Sequence, residues 1–178
     1  ADNLWKAKAT AWHYTAVRSR TAKWLHTLQA RHLPNAVTLS PALSRQVIYV
    51  LYDINDRRRL YVGQTHLTAF DRFKSHVQAA GRIFRGADDT SHDLLHRSMA
   101  HRGWHSFRVF PIEHVPGDFP DTKRGIAAFR KKALPREVFW KRTLHAFAPR
   151  GLCLEQKSSI RRCRAVRRPS CATRDSSN

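Results

Sequence analysis

Two tyrosines, an arginine, a histidine and a glutamate stand out in this chain: Tyr49, Tyr61, Arg72, His76 and Glu137. Together they are sensible parts for phosphodiester cleavage. A carboxylate such as Glu137 holds a divalent cation, and a guanidinium such as Arg72 stabilises charge developing on phosphate. A phenol or an imidazole handles the proton of attacking water. Arg72 and His76 lie four residues apart, so on a helix they share one face. Tyr49 and Tyr61 fall in two short apolar runs, where a strand directs each ring by its choice of face. A plainer reading competes: a hairpin running into a helix, with buried tyrosines and a surface Arg/His pair. Residue types and spacing leave both readings open.

The elements that must position these groups can be read from periodicity. Val47–Ile54 is a β-branched and aromatic run, Asn55-Asp56 supply turn chemistry, and Leu60–Val62 restart an apolar run before Gly63, which predicts a β-hairpin. From Thr68, "TAFDRFKSHVQAA" has helical period, with Phe70, Phe73 and Val77 on one side, and residues 81–90 read as loop. "SHDLLHRSMAHRG" (91–103) predicts a second helix stopped by Gly103, and "FRVFPIEHV" (107–115) a third strand. Residues 116–125 read as a Pro/Gly/Asp loop, and "REVFWKRTLHAF" (136–147) as a helix that begins after Pro135. The fold class is therefore α+β: a small three-stranded, mixed or antiparallel sheet flanked by helices.

Charge dominates the rest. The 178 residues carry 33 Lys/Arg against 13 Asp/Glu, a net charge of +20. Residues 1–46 hold seven cations against Asp2 alone, 47–155 hold nineteen against eleven acids, and 156–178 hold seven against Asp175. Ends more basic than the middle point to a polyanion, nucleic acid first and an anionic membrane surface second. No apolar stretch approaches the roughly twenty residues that span a bilayer. Residues 4–32 predict a helix, either amphipathic and packed on the domain or an arm laid on RNA. Cys153, Cys163 and Cys171 have neither zinc-site nor disulfide spacing, which fits a reducing compartment. The chain starts at Ala1, and its Arg/Ala/Thr-rich, acid-poor beginning suits an organellar import segment, with the mitochondrial matrix as the expected home.

The stretch from residue 46 to 154 resembles a GIY-YIG nuclease domain, in particular those of phage and organellar intron-encoded homing endonucleases. "VIY" (47–49) stands where the family has GIY, "YVG" (61–63) where it has YIG, and "RFKSH" (72–76) matches its Arg followed four later by His. "LLHRSMAHRGWHSFRVFPIEHV" (94–115) is similar to its helix, Gly turn and third strand, and "REVFW" (136–140) to the helix with its metal-binding Glu. The resemblance implies that Tyr49 and Tyr61 line the site, one of them or His76 acting as base. It implies that Arg72 contacts the scissile phosphate, and that Glu137 is the metal ligand for Mg²⁺ if the site is active. A further family histidine has His92 near its place.

Two positions depart from that pattern. Val47 replaces the first Gly, adding bulk beside the site, and Cys153 replaces an Asn, with the loss of a good hydrogen-bond partner expected. The flanks differ as well: residues 1–45 read as a basic helical extension and linker, and residues 155–178 as a basic tail lacking any base-reading motif. Lys74, Arg18 and Arg20 with Arg161, Arg162, Arg164, Arg167 and Arg168 in the tail are the candidate phosphate contacts. The expectation is a nucleic-acid-binding protein with relaxed catalytic demand. Its expected place is as an RNA-binding part of a large ribonucleoprotein such as an organellar ribosome, beside rRNA and other proteins. An active metal-dependent endonuclease on DNA is the alternative.

Overall fold

The computed structural model describes residues 19–34, 39–86 and 93–154. Strand β1 (Val47–Asp53) is buried at every position, as a middle strand covered on both faces must be. It pairs antiparallel with β2 (Leu60–Thr65) on one side and β3 (Phe107–His114) on the other, giving the order β2-β1-β3. The sheet is thus antiparallel throughout. Pro111, which has no N–H to give, is tolerated because β3 is an edge strand and the register shifts beside it: Ile48 faces Glu113 but Tyr49 faces Pro111.

Alternation along β1 divides the core in two. Ile48, Val50 and Tyr52 pack with Ala22 and Leu25 of helix α1 (Arg20–His32) and with Phe129, Ala133 and Trp140 of helix α4 (Lys123–Thr143). Val47, Tyr49 and Leu51 pack on the other side, with Ala69, Phe73 and Ala80 of α2 (Ala69–Phe84) and Leu95 and Met99 of α3 (Leu94–Arg102). The molecule therefore has three layers, helix pair on sheet on helix pair. Helix α1 is locked by more than apolar contact, because the Gln29 side-chain amide donates to the Ile112 carbonyl at the bulge, 2.8 Å away.

Four helix boundaries differ from the sequence reading. Helix α1 does not run through from residue 4: Ser19 is extended (φ −70°, ψ 145°) and caps Ala22 N–H with its hydroxyl, so a helix begins at Arg20. The expected stretch 4–18 lies outside the described residues. Over 20–32 the packed reading holds, since Ala22 and Leu25 are buried. Helix α2 continues through Gly81 to Phe84, because Ala80 is already seated in the core and one helical glycine costs only about 1 kcal/mol. Helix α4 starts well before Arg136, at Lys123, with Thr122 as its cap, 3.0 Å from Gly125 N–H, and passes through Pro135. Pro135 and Lys131 both lie on the exposed side, so the carbonyl that the proline releases is on the solvent flank. The helix ends at Thr143 rather than continuing to 147.

Candidate functional site

Two large rings must fit side by side on one face of a narrow sheet, and Gly63 makes the room. It pairs with Tyr49 across the β1–β2 ladder, and a Cβ at that position would lie 2.6 Å from the Tyr49 oxygen and 2.9 Å from the Tyr61 ring. With no side chain there, the rings sit 6.3 Å apart, centroid to centroid, and the His76 ring lies 5.5 Å from Tyr61, edge to face. Tyr49 is fully buried and His76 nearly so.

A chain of hydrogen bonds leaves this point. The Tyr49 hydroxyl and His76 Nε2 are 2.8 Å apart, His76 Nδ1 and His96 Nε2 are 2.8 Å apart, and His96 Nδ1 lies 3.4 Å from the Asp93 carboxylate. The carboxylate can only accept, which orders every link: His96 Nδ1–H points to Asp93, His76 Nδ1–H donates to His96, and His76 Nε2 accepts the Tyr49 proton. Electrostatics agree. Burial, then the nearby Arg72 guanidinium and the neighbouring His96 ring, push the His76 pKa down to about 3, so the imidazole is neutral. Burial raises both phenols well above the ordinary tyrosine value, Arg72 opposing the shift at Tyr49 and the Tyr49 neighbour adding to it at Tyr61.

Arg72 is exposed, with its guanidinium bonded to Tyr49. Burial works against its charge, but the two phenols and Asp93 outweigh that and hold its pKa up. Glu137 reaches the tyrosines from α4, close enough to add to the raised pKa of each. Its carboxylate is buried and ion-paired with Lys141 Nζ at 2.5 Å, one turn along α4. Tyr49, Tyr61, Arg72 and His76 are thus in mutual contact, and Glu137 acts on the two phenols through its charge. Among the described residues no group of three or more His, Cys, Asp or Glu is arranged to hold a metal ion.

Cys153 corrects an expectation. Its sulfur accepts Val62 N–H at 3.3 Å and its S–H faces Val62 C=O at 3.6 Å, so the thiol bonds both backbone groups of one β2 residue. Burial pushes its pKa up to about 11, which keeps the proton needed for the second bond. Val47 does not displace the tyrosine either: it is fully buried in the apolar cluster that includes Tyr49, and the Tyr49–His76 bond is intact.

Of the candidate phosphate contacts, Arg20 is exposed on the first turn of α1. Lys74 is less available: its ammonium is paired with Asp71 at 3.2 Å and lies 4.9 Å over the Phe70 ring. Arg18, Arg161, Arg162, Arg164, Arg167 and Arg168 lie outside the described residues, as does His92. Sequence reasoning missed His96, Asp93 and Lys141. One signal was present: Asp93 precedes an apolar helical run, as a cap does, and His96 follows three residues later, so both fall on the same turn. Asp93 does cap α3, accepting Leu95 N–H at 2.9 Å. No family model, curated protein or solved structure matches the chain.

Proposed function

We propose that this chain is a nucleic-acid-binding protein in which a GIY-YIG-like nuclease domain serves as a non-cleaving, RNA-binding structural part of a large ribonucleoprotein. An organellar, mitochondrial ribosome is the particle that suits its composition best. The Glu137–Lys141 ion pair carries the reading. In a cleaving site the carboxylate would hold Mg²⁺, but here Lys141 already supplies its counter-charge from one helical turn away. A divalent ion would have to displace that ammonium, and Glu137 brings no second carboxylate to help, so the donor set does not fit a resident metal. What remains is suited to gripping a phosphodiester: an exposed Arg72 beside neutral phenol and imidazole groups that add no repelling charge. The surrounding charge agrees. Helix α4 carries eight Lys/Arg with Glu137 as its one acid, and α1 carries three with none. No helix among the described residues is long and apolar enough to cross a membrane.

The alternative, an active Mg²⁺-dependent endonuclease cutting DNA, draws on one specific observation. Cys153 holds both backbone groups of Val62, so the site stays braced without the family's Asn. Purified protein incubated with Mg²⁺ or Mn²⁺ and both structured RNA and duplex DNA decides between them, with Glu137→Ala and Arg72→Ala run in parallel. RNA should be bound without cleavage above the Glu137→Ala background. Cutting by the unmodified protein that Glu137→Ala abolishes would establish the endonuclease instead. Lys141→Gln tests the stated cause: calorimetric Mn²⁺ binding should be measurable in that variant and absent from the unmodified chain.

A further inference from the structure

A cleft of about 500 Å³ opens on the side of α2 away from His76, lined by Val77, Gln78, Gly81, Arg82, Arg85 and Trp104. Neither functional reading uses it. Its defining feature is an indole kept at the surface. Trp104 is 42% exposed, whereas Trp140 is fully buried and the neighbouring Ser106 and Phe107 are buried. The backbone holds it there. Gly103 has φ +82°, which glycine adopts without strain, and its carbonyl accepts both Ser106 N–H (3.2 Å) and the Ser106 hydroxyl (2.8 Å), closing the turn Trp104–Ser106. The indole is therefore displayed from a braced turn.

The facing wall complements it. Val77 and Gly81 of α2 leave a low apolar floor, and a Cβ at Gly81 would meet only the Arg85 guanidinium, at 3.5 Å. Gln78 is exposed and brings an amide with both a donor and an acceptor. Arg82 and Arg85, three residues apart and exposed, put two guanidinium groups on the rim, and no acid lines the cleft. A flat aromatic wall, one amide at the edge and two cations outside match the parts of a nucleotide: base, base edge and flanking phosphates. The volume lies in the range of small-molecule sites. A paired base, stacked inside a duplex, could not enter.

We propose that this cleft seats one unstacked base of a single-stranded nucleic acid, with the base against Trp104, its edge on Gln78, and the adjacent phosphates on Arg82 and Arg85. The proposal rests on the reading that the protein binds nucleic acid, and it adds a preference: exposed cations on α1 and α4 grip phosphates whether or not the bases are paired, whereas this cleft needs an unpaired one.

The test is fluorescence anisotropy of the full chain with labelled ten-nucleotide single strands, RNA and DNA, and the corresponding duplexes at one fixed salt concentration. Trp104→Ala should weaken single-strand binding by about 5- to 150-fold, the range for loss of one stacked base, and leave duplex binding within about twofold. Trp104→Phe should retain most of the affinity, and R82Q with R85Q should lower the single-strand salt slope by about 0.7 for each phosphate set free. RNA and DNA strands weakened alike support the proposal, because the base carries it. Equal loss on single strand and duplex, or no loss while the unmodified protein still binds, overturns the cleft alone. Absence of any binding by the unmodified protein overturns the functional reading and the cleft with it. Displacement of the single strand by heparin as readily from Trp104→Ala as from the unmodified protein also overturns it, since that outcome means charge alone is read.

Discussion

The two helix pairs that sandwich the sheet are built on opposite terms. Beneath α1 and α4 the core is apolar and heavy, with Phe129, Trp140 and Leu25 at 0–1% exposure, and its main polar feature is closed on itself: Glu113 accepts from two Arg136 nitrogens and the Trp140 indole N–H. The exterior of that layer carries Arg20, Lys23, Arg31, Lys123, Arg124, Arg130 and Lys131, all exposed. Beneath α2 and α3 the core is threaded by titratable groups bonded in series, Tyr49 to His76 to His96 to Asp93. The difference separates two tasks. One layer stores stability and shows the surroundings uniform charge; the other gives up apolar packing to hold polar groups in a set order beside Arg72.

If that division is right, the largest effect on stability belongs to the first layer. Trp140→Ala removes a fully buried indole and leaves Glu113 short of a donor, and should cost about 3–5 kcal/mol in denaturant unfolding. A cost no greater than that of Tyr49→Phe in the second layer would erase the contrast.

The second layer should reveal itself by pH. The His76 pKa is about 3 when folded against an ordinary 6.5. Between those values the unfolded chain takes up a proton that the folded chain refuses, so stability is intact above about pH 6.5 and falls as pH drops. The slope reaches at most about 1.4 kcal/mol per unit from this group. Unfolding of His76→Phe measured from pH 7 to pH 4 should show a shallower fall than the unmodified protein. An unchanged slope would mean that His76 is not held neutral.

Smaller effects resolve the chain of bonds itself. Tyr49→Phe leaves His76 Nε2 without its donor and should cost about 1–3 kcal/mol. Gly63→Ala should cost a similar 1–3 kcal/mol by forcing both rings to move, with loss of the slowly exchanging His76 ring N–H signal in nitrogen-edited NMR spectra. The smallest change in stability, within about 0.5 kcal/mol, is expected for Arg130→Gln with Lys131→Gln on α4. That pair should nevertheless lower the salt slope of the proposed nucleic-acid binding by about 0.7–0.9 for each phosphate no longer neutralised. Lys74→Gln should lower it less, because Asp71 already neutralises Lys74.

The sequence by itself determined the element types, the hairpin and the excess of positive charge, because these follow from short-range pattern. The β-branched and aromatic run from residue 47 to 54 and the i, i+4 spacing of Arg72 and His76 need no knowledge of distant partners. Helix ends were less legible, since Pro135 and Gly81 are tolerated only where packing on either side holds the helix together. What the tertiary structure decided lies across sequence gaps that pattern cannot bridge. Gly63 matters because it stands opposite Tyr49, His96 because α3 lies against α2, and Cys153 because its thiol meets Val62 from the far end of the domain. Lys141 was within one helical turn of Glu137 all along. That it closes on the carboxylate depends on α4 burying both at the edge of the tyrosine pair, where leaving a charge without a partner would be costly.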